Sequence, residues 1–332
     1  MIAAMVGVGN WGYRLVPKLL DHASVKQLHC HDIDATRLEK VGRDFPSVKL
    51  ASDYDAILRD SAIDAVVIAT PVGSHYALAK KALESGKHVL LEKPLTNRAD
   101  HAKHLVGLAA AKGLVLMVDH ITVYSGAAQR IKTLIDSKTL GAIVYFNAAR
   151  MNLGKIQADV SVVWDLAVHE FALIDYLFAR MPRTVSANGA AFYGAREEIA
   201  DVILSFEDGM VGHVHVSWLS PVRRRELIIG GKSKMIVFDD TVADEKLKLC
   251  DRGVDRSADA ASDIPRFTYR DGNDEVLDHD RVEPLVAVID EFMGSVSKGR
   301  EPLTSGVVGL RCVQILEAVD KSLQANGMSV KL

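Results

Sequence analysis

Three glycines near the amino end, Gly7, Gly9 and Gly12, constrain this chain more than any other feature. They stand at G-x-G-x-x-G spacing in M-V-G-V-G-N-W-G, with an apolar run, Ile2–Val8, leading in. A helical pattern, Trp11–Asp21, leads out, and Pro17 predicts a bend in it. A strand that becomes a helix through such a loop can wrap a diphosphate. The first glycine allows the tight turn, the second lets backbone approach the phosphates, and the third lets helix and strand pack closely. The helix N-terminus adds free N–H groups and a partial positive charge. Asp32 stands 20 residues past Gly12, after the strand-like segment Val25–Cys30. A carboxylate there can accept from both hydroxyls of an adenosine ribose and repels a 2′-phosphate. Two charges ~4 Å apart at an effective dielectric of ~20 cost ~4 kcal/mol, roughly a thousandfold in affinity. NAD is therefore favoured. Arg37 could hold a phosphate, which leaves NADP as the alternative. The other reading of Asp32 is an N-cap for the helix from Ala35, or a loop acid.

The rest of the first 120 residues repeats this strand–helix rhythm. Helical patterns at Asp34–Gly42, Ser52–Arg59, Ser74–Ser85 and Arg98–Lys112 alternate with apolar runs at Val48–Leu50, Asp64–Ala69, Lys87–Leu91 and Leu114–Val118. Alternation of this kind predicts an α/β domain with a doubly wound parallel sheet. After Asp119 the rhythm changes, and a second domain is expected over residues 121–332, its last helices folding back on the first. Helices are expected at Val123–Ser137 and Val162–Phe178, with a strand at Ala142–Arg150 between them. The stretch from Arg183 to Leu249 is strand-rich, with Asp-Gly and Gly-Gly hairpin signals. This half reads as α+β with a largely antiparallel open sheet. Asp251–Asp280 is charged and reads as surface loop with one short strand at Phe267–Tyr269, before closing helices at Val282–Ser297 and Val307–Ala325.

Composition narrows the function classes. Of 332 residues, 48% are hydrophobic and 25% charged, with a net charge of −3, so neither nucleic acid nor an anionic membrane is an expected partner. No apolar run approaches the ~20 residues of a membrane span. Met1 opens directly onto the first strand, so no secretory leader is expected. Cys30, Cys250 and Cys312 are too scattered for a disulfide framework or a metal site and fit a reducing cytoplasm.

Ligands of open α/β sheets bind beyond the carboxyl ends of the strands. Thr70-Pro71 and Glu92-Lys93-Pro94 stand at such ends. Lys93 could steady the oxygen of a substrate as hydride leaves the adjacent carbon, or it could be a solvated lysine paired with Glu92. In Trp164-Asp165-Leu166-Ala167-Val168-His169, the Asp and His are four apart and share a helix face. That suits proton transfer; the alternative is a surface ion pair. The run Arg223-Arg224-Arg225 reads as a solvated turn between strands or as a site for a substrate diphosphate. His213 and His215 alternate along a strand without a third ligand, so no metal is expected.

Taken together, V-G-V-G-N-W-G, A-T-P-V-G-S-H at Ala69–His75, L-L-E-K-P-L at Leu90–Leu95, D-x-x-x-H at Asp165–His169 and the closing T-S-G-V-V-G-L…L-E-A-V-D-K-S-L resemble the Gfo/Idh/MocA oxidoreductases over nearly the whole chain. The resemblance implies a Rossmann domain binding NAD(P), with Gly7, Gly9, Asn10, Trp11, Gly12, Asp32, Thr70, Pro71, His75, Glu92 and Lys93 at the cofactor. It implies Lys93, Asp165 and His169 as the catalytic group, His169 being the general base. His120, Trp164, Arg223 and Arg225 are expected on the substrate side. The runs S-V-V-W-D-L-A-V-H-E and V-S-W-L-S-P-V-R-R-R look like those of members acting on nucleotide-linked sugars, although Glu170 stands where the family often has Asp. A free polyol such as inositol is the alternative substrate, and a non-catalytic NAD(P)-binding sensor the alternative role. Similar proteins are commonly homodimers or homotetramers through the open sheet.

Overall fold

The computed structural model describes residues 1–242, 244, 246–257 and 266–332. Two compact units are present: Met1–Tyr124 with Val282–Gln314, and Ser125–Arg281 with Ile315–Leu332.

The first unit contains β1 (Ile2–Val6), α1 (Asn10–Asp21), β2 (Gln27–His31), α2 (Ala35–Asp44), β3 (Lys49–Leu50), α3 (Tyr54–Arg59), β4 (Ala65–Ile68), α4 (Val72–Glu84), β5 (His88–Glu92), α5 (Ala99–Lys112) and β6 (Leu116–Asp119). Its sheet runs in the order β3-β2-β1-β4-β5-β6, and every pairing is parallel. The strand order reverses between β1 and β4, which is where an open sheet of this kind offers its ligand crevice. Ala65–Ile68 are all buried, as both-face coverage by helices demands. The helix α1 continues through Pro17. The edge of β6 is closed by the segment before the last helix, where Val118 N–H donates to Thr304 O at 2.8 Å and Met117 bridges Ser305.

The second unit contains α6 (Gly126–Asp136), β7 (Ile143–Leu153), α7 (Val168–Phe178), β8 (Thr184–Ala190), β9 (Ile199–Ser205), β10 (Val211–Ser217), β11 (Leu219–Gly231), β12 (Met235–Asp239), β13 (Leu247–Ser257) and β14 (Arg266–Val276). The helix α8 (Pro284–Lys298) belongs to the first unit, the division falls within α9 (Gly306–Gln324), and β15 (Val330–Lys331) ends the second. The nine-stranded sheet runs β14-β13-β12-β11-β7-β10-β9-β8-β15 and is antiparallel except where β7 meets β10. Glycines let its aromatics lie flat: a Cβ on Gly212 would stand 1.9 Å from the Phe146 ring.

Three stretches differ from the sequence reading. The charged region after Asp251 is a long hairpin, β13 with β14; its residues 258–265 lie outside the described ones. Cross-strand ion pairs hold it, Arg252 to Asp271 at 3.0 Å and Arg270 to Asp251 at 2.9 Å. The arginine run is not a turn but lies inside β11, beyond a register shift between Leu219 and Arg224. The expected helix from Val162 begins instead with a π-helical turn, Val163–Ala167, that passes into α7.

Candidate active site

The glycine turn is built as a cradle. Gly7 has φ +87°, and a Cβ there would stand 2.6 Å from Ala69 O of the neighbouring strand end. A Cβ on Gly12 would fall 1.9 Å from Gly7 O. Both positions exclude side chains for lack of room. Gly9 is different, since its added Cβ would meet only the Arg37 guanidinium, at 3.4 Å. It is also the N-cap of α1, and no side chain caps that helix. The first-turn N–H groups are thus left to an anion. Asn10 is exposed at the first position of the helix.

Asp32 follows β2 and is nearly buried. Its Oδ2 accepts the Val8 N–H at 2.7 Å and its Oδ1 the Asp34 N–H at 2.9 Å. Each oxygen keeps a lone pair for a hydroxyl. The capping alternative fails here, because Asp34 caps α2, accepting from Thr36 and Arg37 N–H. Arg37 pairs with Asp34 at 3.2 Å. Ile33, beside the carboxylate, is 98% exposed, an apolar side chain with nothing to cover it. These features together fit a dinucleotide.

At the next strand ends, Pro71 begins α4, and the Thr70 hydroxyl meets Ser74 at 2.7 Å. His75 does not present a free nitrogen to a ligand. It is buried, with Nε2 at 2.8 Å from Thr70 O and Nδ1 at 2.9 Å from Pro94 O, so it braces one loop against the other. Burial lowers its pKa. The Lys93–Pro94 peptide is cis.

Glu92 and Asp119 are register partners at the ends of β5 and β6, and Glu92 Oε1 and Asp119 Oδ1 are both buried without a hydrogen-bond partner. Desolvation holds the pKa of Glu92 well above the usual range, and the Asp119 charge adds to it; desolvation raises Asp119 too. Trp11 turns its indole N–H to Asp119 Oδ2, at a long 3.4 Å, rather than toward the glycine turn. His120 is fully buried, and neither ring nitrogen has a partner. Desolvation, then the charge of Lys93, pushes its pKa down to about 3, so it is a neutral imidazole.

In the second unit, Asp165 lies in the π-helical turn and His169 in the first turn of α7. Such turns are frequent at functional sites. The Trp218 indole donates to Asp165 Oδ2 at 3.1 Å, a partner 53 residues away that local pattern could not reveal. Glu170, next to His169, is buried in an ion pair with Arg150 at 2.5 Å. Trp164, expected on the substrate side, is 7% exposed, and its one donor is spent on Asp320 at 2.8 Å. Arg225 stands opposite Arg150 in the sheet register, half-buried and 3.5 Å from Asp240. Desolvation and then the charges of Arg150 and Arg223 lower its pKa. Three guanidiniums therefore gather near two carboxylates. His213 and His215 both engage Asp201, at 3.3 and 2.7 Å. Among the described residues, no group of three or more His, Cys, Asp and Glu side chains could hold a metal ion.

Residues 1–120 match the model of the Gfo/Idh/MocA oxidoreductase family with its NAD-binding Rossmann fold, and residues 128–237 match that family's C-terminal domain. The UDP-N-acetylglucosamine 3-dehydrogenase of Acidithiobacillus ferrooxidans is 29% identical over 337 residues, covering 98% of this chain and 99% of that one. The NAD-dependent scyllo-inositol 2-dehydrogenase of Bacillus subtilis is 24% identical, covering 99% and 95%. A solved structure of the Acidithiobacillus enzyme superposes with a TM-score of 0.83 at 26% identity, covering 98% of each chain.

Proposed function

The chain belongs to the Gfo/Idh/MocA oxidoreductases, and from that premise we propose that it moves a hydride between NAD and a hydroxyl-bearing carbon of a nucleotide-linked sugar. The observation that carries the cofactor half is the uncapped start of α1 beside the fixed carboxylate of Asp32. The residues Gly7 to Gly12 would hold the diphosphate, Asp32 the ribose, and Ile33 would cover an adenine face. When bound, the nicotinamide supplies the hydride acceptor. Asp32 disfavours a 2′-phosphate, and Arg37 is engaged by Asp34, so NAD is preferred to NADP. Lys93 donates to the reacting oxygen and stabilises charge developing on it. His169 takes the hydroxyl proton, and Asp165, fixed by Trp218, completes that pair.

For the substrate, the excess of positive charge at Arg150, Arg223 and Arg225 suits a diphosphate, and the Acidithiobacillus relative is named for a UDP-sugar. A free polyol is the second reading, supported by the inositol enzyme's name. The test is a panel of UDP-sugars and polyols with NAD or NADP, read by absorbance of reduced cofactor. Lys93→Ala and His169→Ala should each cut turnover by about 10²-fold or more while NADH still binds by fluorescence titration. Full turnover in either variant overturns its role, and full UDP-sugar turnover in Arg223→Glu/Arg225→Glu overturns the diphosphate reading. We place the enzyme in the cytoplasm as a homo-oligomer. The sheet face that carries Asn147, Ile203, Val211 and His213 supports the latter, since Ile203 and Val211 are 46% and 45% exposed. Light scattering on the eluting protein reads the assembly.

A further inference from the structure

We propose that Glu92 and Asp119 hold one proton between them, and that the pair is a buried single negative charge beside Lys93, with Asp119 as its positioning residue. The chemistry follows from the bonding. Ionised carboxylates only accept hydrogen bonds, so two carboxyls at one register position of neighbouring strands can satisfy each other only if one of them carries a proton. Glu92 Oε2 already accepts the Lys93 N–H at 3.2 Å, and Asp119 Oδ2 faces the Trp11 indole. The oxygens left over are Glu92 Oε1 and Asp119 Oδ1, both sealed from solvent and without a hydrogen-bond partner. A single proton between these two satisfies both. Two ionised carboxylates side by side in this register would each be buried, unpaired and repelled by the other. The indole donor favours charge on Asp119, which assigns the proton to Glu92.

The pair is faced by Lys93 beyond β5, by His120 and Tyr124 beyond β6, and by Trp11 from α1; Glu291 of α8 acts on the same Tyr124. Among these, Lys93 is the only cation, and its charge draws down the pKa of both carboxyls. The pair thus ties the dinucleotide turn, through Trp11, to the backbone of the lysine. This inference borrows from the proposed function only the role of Lys93. Its first test needs no turnover.

A proton kept in the folded chain at a pH where unfolded carboxyls have lost theirs costs stability, and the cost grows with pH until the folded pair ionises. Glu92→Gln and Asp119→Asn each leave one carboxylate and an amide donor, with no proton to keep. The melting temperature of either single variant, minus that of the unsubstituted protein, should therefore widen steadily between pH 5 and 8. A gap that stays flat across this range overturns the shared proton. If a variant does not fold, carbon NMR of glutamate-labelled protein decides. One glutamate carboxyl still in its protonated form at pH 7 supports the pair, and none overturns it. The single charge is tested by turnover. Either single amide keeps one negative charge, whereas Glu92→Gln/Asp119→Asn removes it. The double variant should fall at least about tenfold in kcat below either single, the factor carried by one pH unit in a protonation equilibrium. Its Kd for NADH should move less than kcat does. A single amide that loses as much as the double, or a double no worse than the singles, overturns the one-charge count.

Discussion

The positions of Gly7 and Gly12 are the residues most legible in the sequence, because their spacing states a backbone requirement that the structure meets at 2.6 and 1.9 Å. Gly12→Ala should abolish NADH binding and lower stability, since the intruded atom is backbone oxygen and has nowhere to move. Fluorescence titration and thermal melting read the two effects. Other side chains were less legible. The sequence places Asp165 and His169 together but is silent on Trp218, which holds the carboxylate from the bend between β10 and β11. It counts His75 with the cofactor; in the structure its ring nitrogens stand 2.9 Å from Pro94 O and 2.8 Å from Thr70 O, and a neutral imidazole donates to only one of them. His120 is buried with neither nitrogen bonded. Because its folded pKa lies at about 3, below the usual value of 6.5, the unfolded chain takes a proton first as pH falls. Stability present above pH 6.5 is then lost on the way down, at about 1.4 kcal/mol per pH unit. His120→Leu should reduce the slope of melting temperature against pH between 6.5 and 5. An unaltered slope would show that this imidazole is protonated in the folded chain.

Among elements, the strands and helices of the first unit could be read because continuous apolar runs alternate with capped helical patterns. The hairpin β13–β14 could not. Its strands are rich in Asp, with Gly at two positions, and both are poor strand formers; what holds them is pairing across the ladder rather than burial. Arg270→Ala removes bonds to Asp251 and Asp255 at once. Both are partly exposed, so the loss should be local, visible as faster amide exchange along β14 with little change in the global melt. The ion pair between β7 and α7 is the opposite case. Arg150 and Glu170 side chains are only 11% and 6% exposed. Arg150→Met strands a buried carboxylate and should cost about 3–5 kcal/mol in urea unfolding, most of it regained in Arg150→Met/Glu170→Leu. A double variant as unstable as the single would show that the pair is not the source.

For the molecule as a whole, the sheet order β3-β2-β1-β4-β5-β6 puts the glycine turn, Thr70-Pro71, Glu92-Lys93 and Asp119-His120 at one edge of one sheet. Chain order alone leads to this, since parallel strands joined by helices present all their carboxyl ends on the same side. The dimension hidden from sequence is which of these groups share a proton or a bond once assembled there. One such arrangement bears on how a chain like this changes over generations. The Arg37 guanidinium already stands close to Gly9, paired with Asp34, while Asp32 accepts from two backbone amides. An ancestor or descendant preferring the phosphorylated dinucleotide is therefore a short mutational walk away: losing one acid would let a cation already in place become the selector.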